Sequence, residues 1–146
     1  MSSQDEVRKA STAFYEALNL MLNGDAGPLS DIWSHGSDVT TLHPTGGRQV
    51  GWGEVWESWN QVAQLSTDGK VVLKDQLVHV VGDLAYEVGV EHAEFKLAGE
   101  RVSGRMRVTN IYQREGGAWK VRHHHTDLAP EVVEVLNNLQ SPFGAD

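Results

Sequence analysis

The chain has 146 residues, of which 40% are hydrophobic, and a formal net charge of −8. That length suits one domain with a real core, and the apolar content excludes a disordered or fibrous chain. With no cysteine, a disulfide scaffold, a thiol nucleophile and a thiolate metal site are excluded, and the acidic balance argues against binding to nucleic acid or to an anionic membrane surface.

The polar, acidic start, Met1 to Glu6, lacks the basic and apolar regions of a signal peptide. No apolar run is long enough to span a bilayer. A cytoplasmic location is the expectation. Ser3-Gln4-Asp5-Glu6 reads as a capping box and Gly24 as a stop. Between them Val7, Ala10, Phe14, Ala17, Leu18 and Met21 fall on one helical stripe. Pro28 suits the first turn of a short second helix through Ile32 and Trp33. An extended segment, Asp38 to His43, ends at Pro44 and the turn Gly46-Gly47. A third helix, Trp52 to Leu65, carries Trp52, Val55, Trp56, Trp59, Val62 and Ala63 on its apolar face.

The period then changes. Segments 71–81, 84–97, 102–114 and 119–128 favour strands. Gly82-Asp83, Ala98-Gly99-Glu100 and Gly116-Gly117 are short links, so consecutive antiparallel hairpins are expected. Pro130 opens a last helical stripe, Val132, Val135, Leu136 and Leu139. Helices first and a long antiparallel meander second predict an α+β fold with helices on one sheet face. A single domain over 1–140 is expected, with 141–146 as a flexible tail.

This order resembles the nuclear transport factor 2-like superfamily, with its SnoaL-like and ketosteroid isomerase-like proteins. The motifs that carry it are Gly24-Asp25, Trp33, Asp38-Val39-Thr40, the segment from His79 to Tyr86, Arg107-Val108-Thr109 and the run from Trp119 to His125. The same stretches are similar to the association, or hub, domain of calcium/calmodulin-dependent protein kinase. The resemblance implies a cone-shaped curved antiparallel sheet wrapped around three N-terminal helices, a short C-terminal helix, a pocket at the open end and a homodimer through the outer sheet face.

On the hub-like alignment, Glu91 and Thr109 line the pocket. Alternation along strands then adds Glu87, Gly89 and Ala93 to the face of Glu91, Arg105, Arg107 and Ile111 to that of Thr109, and Arg122, His124 and Thr126 from the last strand. Glu91 as base, Arg107 as charge stabiliser and His124 as proton carrier would meet in one concavity. A buried Glu91–Arg107 ion pair that only holds the sheet is the competing reading. Tyr15 is a candidate donor, as in ketosteroid isomerase-like enzymes, or a core tyrosine with its hydroxyl at the rim. Asp25 is an acidic position used beside histidine in some lyases of the superfamily, or a turn residue.

His43 and the tryptophans Trp33, Trp56 and Trp59 are candidate walls for a flat, partly apolar ligand, together with Thr109 and Arg122. Trp119, Val121, His123 and His125 are expected on the opposite face, at the dimer contact. A His-x-His metal site would need a third ligand that spacing does not mark, so no metal is expected. No phosphate loop or serine-nucleophile motif is present, and no cofactor is expected. Two functions follow. One is a small-molecule pocket with cofactor-free proton transfer of isomerase, dehydratase or cyclase type. The other is a noncatalytic ligand-sensing or association module.

Overall fold

Ser2 opens the first helix. Its hydroxyl accepts from the Asp5 amide at 3.1 Å, and the Asp5 carboxylate accepts from the Ser2 amide at 3.3 Å. The capping box therefore starts one residue earlier than the sequence suggests. In this computed structural model, which describes residues 1–140, α1 (Ser3–Met21) is followed by α2 (Leu29–Ile32), β1 (Thr40–His43), β2 (Gly46–Val50), α3 (Trp52–Leu65), β3 (Ser66–Val81), β4 (Leu84–Leu97), β5 (Glu100–Glu115), β6 (Ala118–Thr126) and α4 (Pro130–Gln140). The expected loose tail lies outside the described residues.

The strands form one sheet in the order β2-β1-β6-β5-β4-β3. All pairs are antiparallel except β1 with β6, where Thr41 lies beside His124. β2 was expected only as a turn. Glycines at φ +100° and +82° make that turn and also begin the strand. α1, α3 and the concave sheet face enclose the core, with Val7, Phe14, Leu29, Val55, Tyr112 and Val121 wholly buried. The fold is thus the expected α+β cone.

Two irregularities position the site. In β6, Val121 pairs with Tyr112 but His123 pairs with Ile111, so Arg122 is an extra residue. This β-bulge shifts the alternation by one. Trp119 and Val121 are buried, and so are His124 and Thr126. The expectation that Trp119 and Val121 lie on the outer face is therefore overturned. In β3, Asp75 and Gln76 interrupt the pairing between Lys74 and Leu77. Asp75 adopts φ +57° there, and the Gln76 side chain reaches inward to Glu87.

Candidate functional site

β5 alternates in the opposite phase to that expected. Glu91 lies across from Met106, and Glu87 from Asn110, whereas Arg107 pairs with Val90. Residues opposite one another share a face. Met106, Val108, Asn110 and Tyr112 accordingly point into the cone and are buried. Arg107 points away. Its side chain is 83% exposed and it grips Asp127 through Nε at 2.8 Å and Nη2 at 3.1 Å. Thr109 follows it to the outer side, beside His125. Neither the ion pair nor the charge stabilisation expected between Glu91 and Arg107 exists. The apolar set of β5 has to be buried, and that takes both arginines, 105 and 107, outward.

Arg122 also leaves the cavity. As the bulge residue it binds Gln113 and Asp38 instead. Trp33 is buried between Phe14, Trp52 and Trp59, away from the cavity lining. Trp56 packs on Trp52 at the half-exposed end of that cluster. Asp25 accepts from the Gly27 amide at 2.9 Å, which is a turn contact.

The remaining candidates do converge. Glu91, His124, His43 and Trp59 line one cavity of about 70 Å³. The end of α1 closes it with Leu18, Met21 and Leu22, and α3 adds Val62. Pro44 and Thr45 of the β1–β2 turn and Val132 of α4 frame the remainder. α4 is held over β5 by Glu131, which accepts from the Ser103 amide at 3.0 Å, and the Ala129 amide binds the Pro44 carbonyl at 3.0 Å.

The polar groups are joined behind the cavity wall. The Tyr15 hydroxyl donates to Glu91 Oε2 at 2.7 Å and accepts from Asn110 Nδ2 at 3.1 Å. Asn110 Oδ1 meets His124 Nδ1 at 2.6 Å. Burial pushes the Glu91 carboxyl up to about 7, against the pull of the Tyr15 hydrogen bond and with help from the neighbouring Glu87. Burial drives His124 well below the usual imidazole range, with smaller contributions from His43, His123 and His125. The Tyr15 phenol is raised well above its usual value, first by burial and then by the Glu91 charge. At neutral pH the cavity thus holds an uncharged imidazole and a carboxyl poised to give or take a proton.

His43 is set in a similar way. Ser58 donates its hydroxyl proton to the Val55 carbonyl at 2.6 Å, so it accepts from His43 Nε2 at 2.7 Å. That leaves His43 Nδ1 without a proton, and burial lowers its pKa to about 4. Its ring meets Trp59 edge-on at 4.4 Å. The Trp59 indole N–H is buried with no acceptor among the described residues. No group of three potential metal ligands is found among them. On the outer face, His123 Nδ1 bonds Thr40 Oγ1 at 2.6 Å.

Asn110 is the residue that sequence reasoning missed, while Glu87 was expected on the face of Glu91 but given no role. The signal for Asn110 was available: in a strand reading Met106-Arg107-Val108-Thr109-Asn110-Ile111-Tyr112, the set with apolar Met106, Val108 and Tyr112 is the one to bury, and Asn110 belongs to that set by alternation.

No curated protein matches this chain. Among solved structures, a putative dehydratase of the nuclear transport factor 2-like family from Streptomyces avermitilis is 28% identical, with a TM-score of 0.76 over 86% of this chain and 94% of that one. A nuclear transport factor 2-like superfamily protein from Salmonella enterica is 15% identical, with a TM-score of 0.75 over 85% and 89%. The CaMKII hub of S. rosetta is 17% identical, with a TM-score of 0.70 over 87% and 97%. The two lower identities show the fold alone. The family model of the SnoaL-like domain matches residues 7–129, which runs from within α1 to just past the last strand, and the chain therefore belongs to the SnoaL-like family.

Proposed function

We propose that the cone binds a small, largely apolar molecule and carries out cofactor-free proton transfer on it, as a dehydratase or isomerase. The observation that carries this reading is the pairing of Glu91 and His124 on one cavity. One group holds a proton near neutral pH and the other lacks one, which is the division of labour that general acid–base chemistry needs. In a dehydration, His124 Nε2 takes the proton from carbon. The electron pair forms the new double bond, and Glu91 protonates the departing hydroxyl, which leaves as water. Exchange of one proton with solvent restores both groups. Trp59, with its unpaired N–H, offers a donor to a ligand oxygen. The 28% identity to a putative dehydratase supports the same reading.

One observation favours the noncatalytic alternative. The cavity holds about 70 Å³, whereas roughly 150 Å³ is known to admit benzene. A ring-sized ligand enters only if α4 or the β1–β2 turn gives way. The homodimer and the cytoplasmic location belong to this same proposal. The outer face of β4 to β6 still presents Val88, Val90 and Ile111 around Thr109. Light scattering tests the dimer, and fractionation tests the location.

A panel of small β-hydroxy ketones tests the chemistry. Wild-type protein should speed formation of the conjugated enone, followed by its ultraviolet absorbance, and Glu91→Gln and His124→Phe should each remove that effect. No acceleration with any member, or wild-type rates retained in both variants, would mean the cavity is a binding site only.

A further inference from the structure

Glu87 is wholly buried on β4, on the same face as Glu91, and the proposed chemistry does not use it. Both of its oxygens are engaged. Oε1 receives the Tyr112 hydroxyl at 2.7 Å and Asn110 Nδ2 at 3.0 Å, and Oε2 receives Gln76 Nε2 at 2.6 Å.

Asn110 is the only one of these partners that also touches the catalytic candidates. A primary amide has one accepting edge and one donating edge. Its donating edge must face the carboxylate, because the reversed amide would set oxygen against oxygen at the same 3.0 Å. Both amide protons are then used, one on Glu87 and one on the Tyr15 hydroxyl. The carbonyl edge is left for His124, 2.6 Å from Nδ1. An acceptor at that distance requires the proton to sit on Nδ1.

We infer that Glu87 is a positioning residue: through Asn110 it fixes His124 in the Nδ1–H tautomer and so makes Nε2 an acceptor open to a ligand. Nε2 has no protein partner among the described residues. The group that a ligand presents to His124 is therefore a donor, a hydroxyl or an acidic C–H. A carbonyl oxygen placed there would face a lone pair. The same device links fold to chemistry. The irregularity in β3 that brings Gln76 inward helps hold Glu87, Glu87 orients Asn110, and Asn110 sets the imidazole. The consequence for catalysis rests on the acid–base function proposed above, but the tautomer does not, and it can be read without any substrate.

Long-range proton–nitrogen correlation spectra of protein labelled with nitrogen-15 in histidine report the tautomer directly. In the wild type at neutral pH, His124 should show a single Nδ1–H form. Glu87→Leu should lose that single form, giving a mixture or the Nε2–H form. Tyr112→Phe removes a donor from the same carboxylate but leaves Asn110 its partner, and it should keep the wild-type pattern. A wild-type proton on Nε2 overturns the inference outright, as does an unchanged pattern in folded Glu87→Leu. If Glu87→Leu does not fold, Asn110→Leu decides the matter, since it cuts the link and leaves Glu87 its other two donors. Retention of a single Nδ1–H form there overturns the inference, and loss of it supports it. Should the ketone panel fail while this tautomer is found, the function is wrong and the positioning role stands.

Discussion

The hydroxyl of Tyr15, on the first helix, stands 2.7 Å from Glu91 Oε2, on the fourth strand. The same oxygen already accepts from Asn110, so its one proton is committed to Glu91. That hydrogen bond favours the ionised carboxyl, whereas burial opposes it more strongly. Tyr15→Phe should therefore raise the Glu91 pKa above its present value of about 7. A carboxyl carbon-13 titration reads the shift, and no change or a fall would break the link between the two residues. Leaving the Asn110 donor short of a partner should also cost about 1–3 kcal/mol in denaturant unfolding.

Glu91 gives stability a definite pH dependence. Its folded pKa, about 7, lies above its ordinary value of 4.5. The folded state thus holds a proton that the unfolded chain releases first. This contribution is fully present below about pH 4.5 and is lost as pH rises through about 7. Glu91→Gln should gain on the wild type by roughly 3 kcal/mol between pH 4.5 and pH 8. Urea unfolding at the two pH values checks it. A constant difference would show that Glu91 is not held protonated.

His43 acts at the acid end. Its pKa falls from 6.5 to about 4 through burial. The unfolded chain takes up a proton that the folded site refuses, so stability is lost as pH falls from about 6.5 through about 4. His43→Gln should flatten that loss by on the order of 3 kcal/mol. Identical acid profiles for the two proteins would place His43 in contact with water.

Gly69 tests the packing of the helix end on the sheet. An added Cβ would lie 2.4 Å from Leu22 Cβ and 2.7 Å from the Leu22 carbonyl. Backbone must move to admit it. Gly69→Ala should destabilise by about 1–3 kcal/mol, seen as an earlier urea midpoint. Gly99→Ala meets no atom within 4 Å, but its φ of +84° strains any side chain. It separates backbone strain from steric clash.

Arg107 should prove dispensable. Its ion pair with Asp127 is on the surface, where such pairs contribute little. Arg107→Ala should leave both the urea midpoint and any turnover of the ketone panel close to wild type. A large loss of either would return it to the site.

Much of this fold is legible in the chain. The stripe from Val7 to Met21, the apolar face from Val55 to Ala63 and the short links at Gly82-Asp83 and Gly116-Gly117 each follow from local periodicity, which burial enforces. The position of Arg107 was legible too, because arginines alternating with Met106 and Val108 cannot be the buried set. Its misplacement came from carrying over a pocket position for Thr109.

The bulge at Arg122 is different. Nothing local marks it, and one inserted residue turns Trp119 and Val121 inward together with His124. Apart from β2, the elements, their order and the apolar face of each helix follow from local sequence, because period and turn chemistry act over a few residues. The phase of β6, the inward turn of Gln76 and the meeting of Tyr15, Glu91, Asn110 and His124 were decided only in the tertiary structure. They depend on which strand lies beside which, and in what register. Partners 76 and 95 residues apart leave no trace in local spacing.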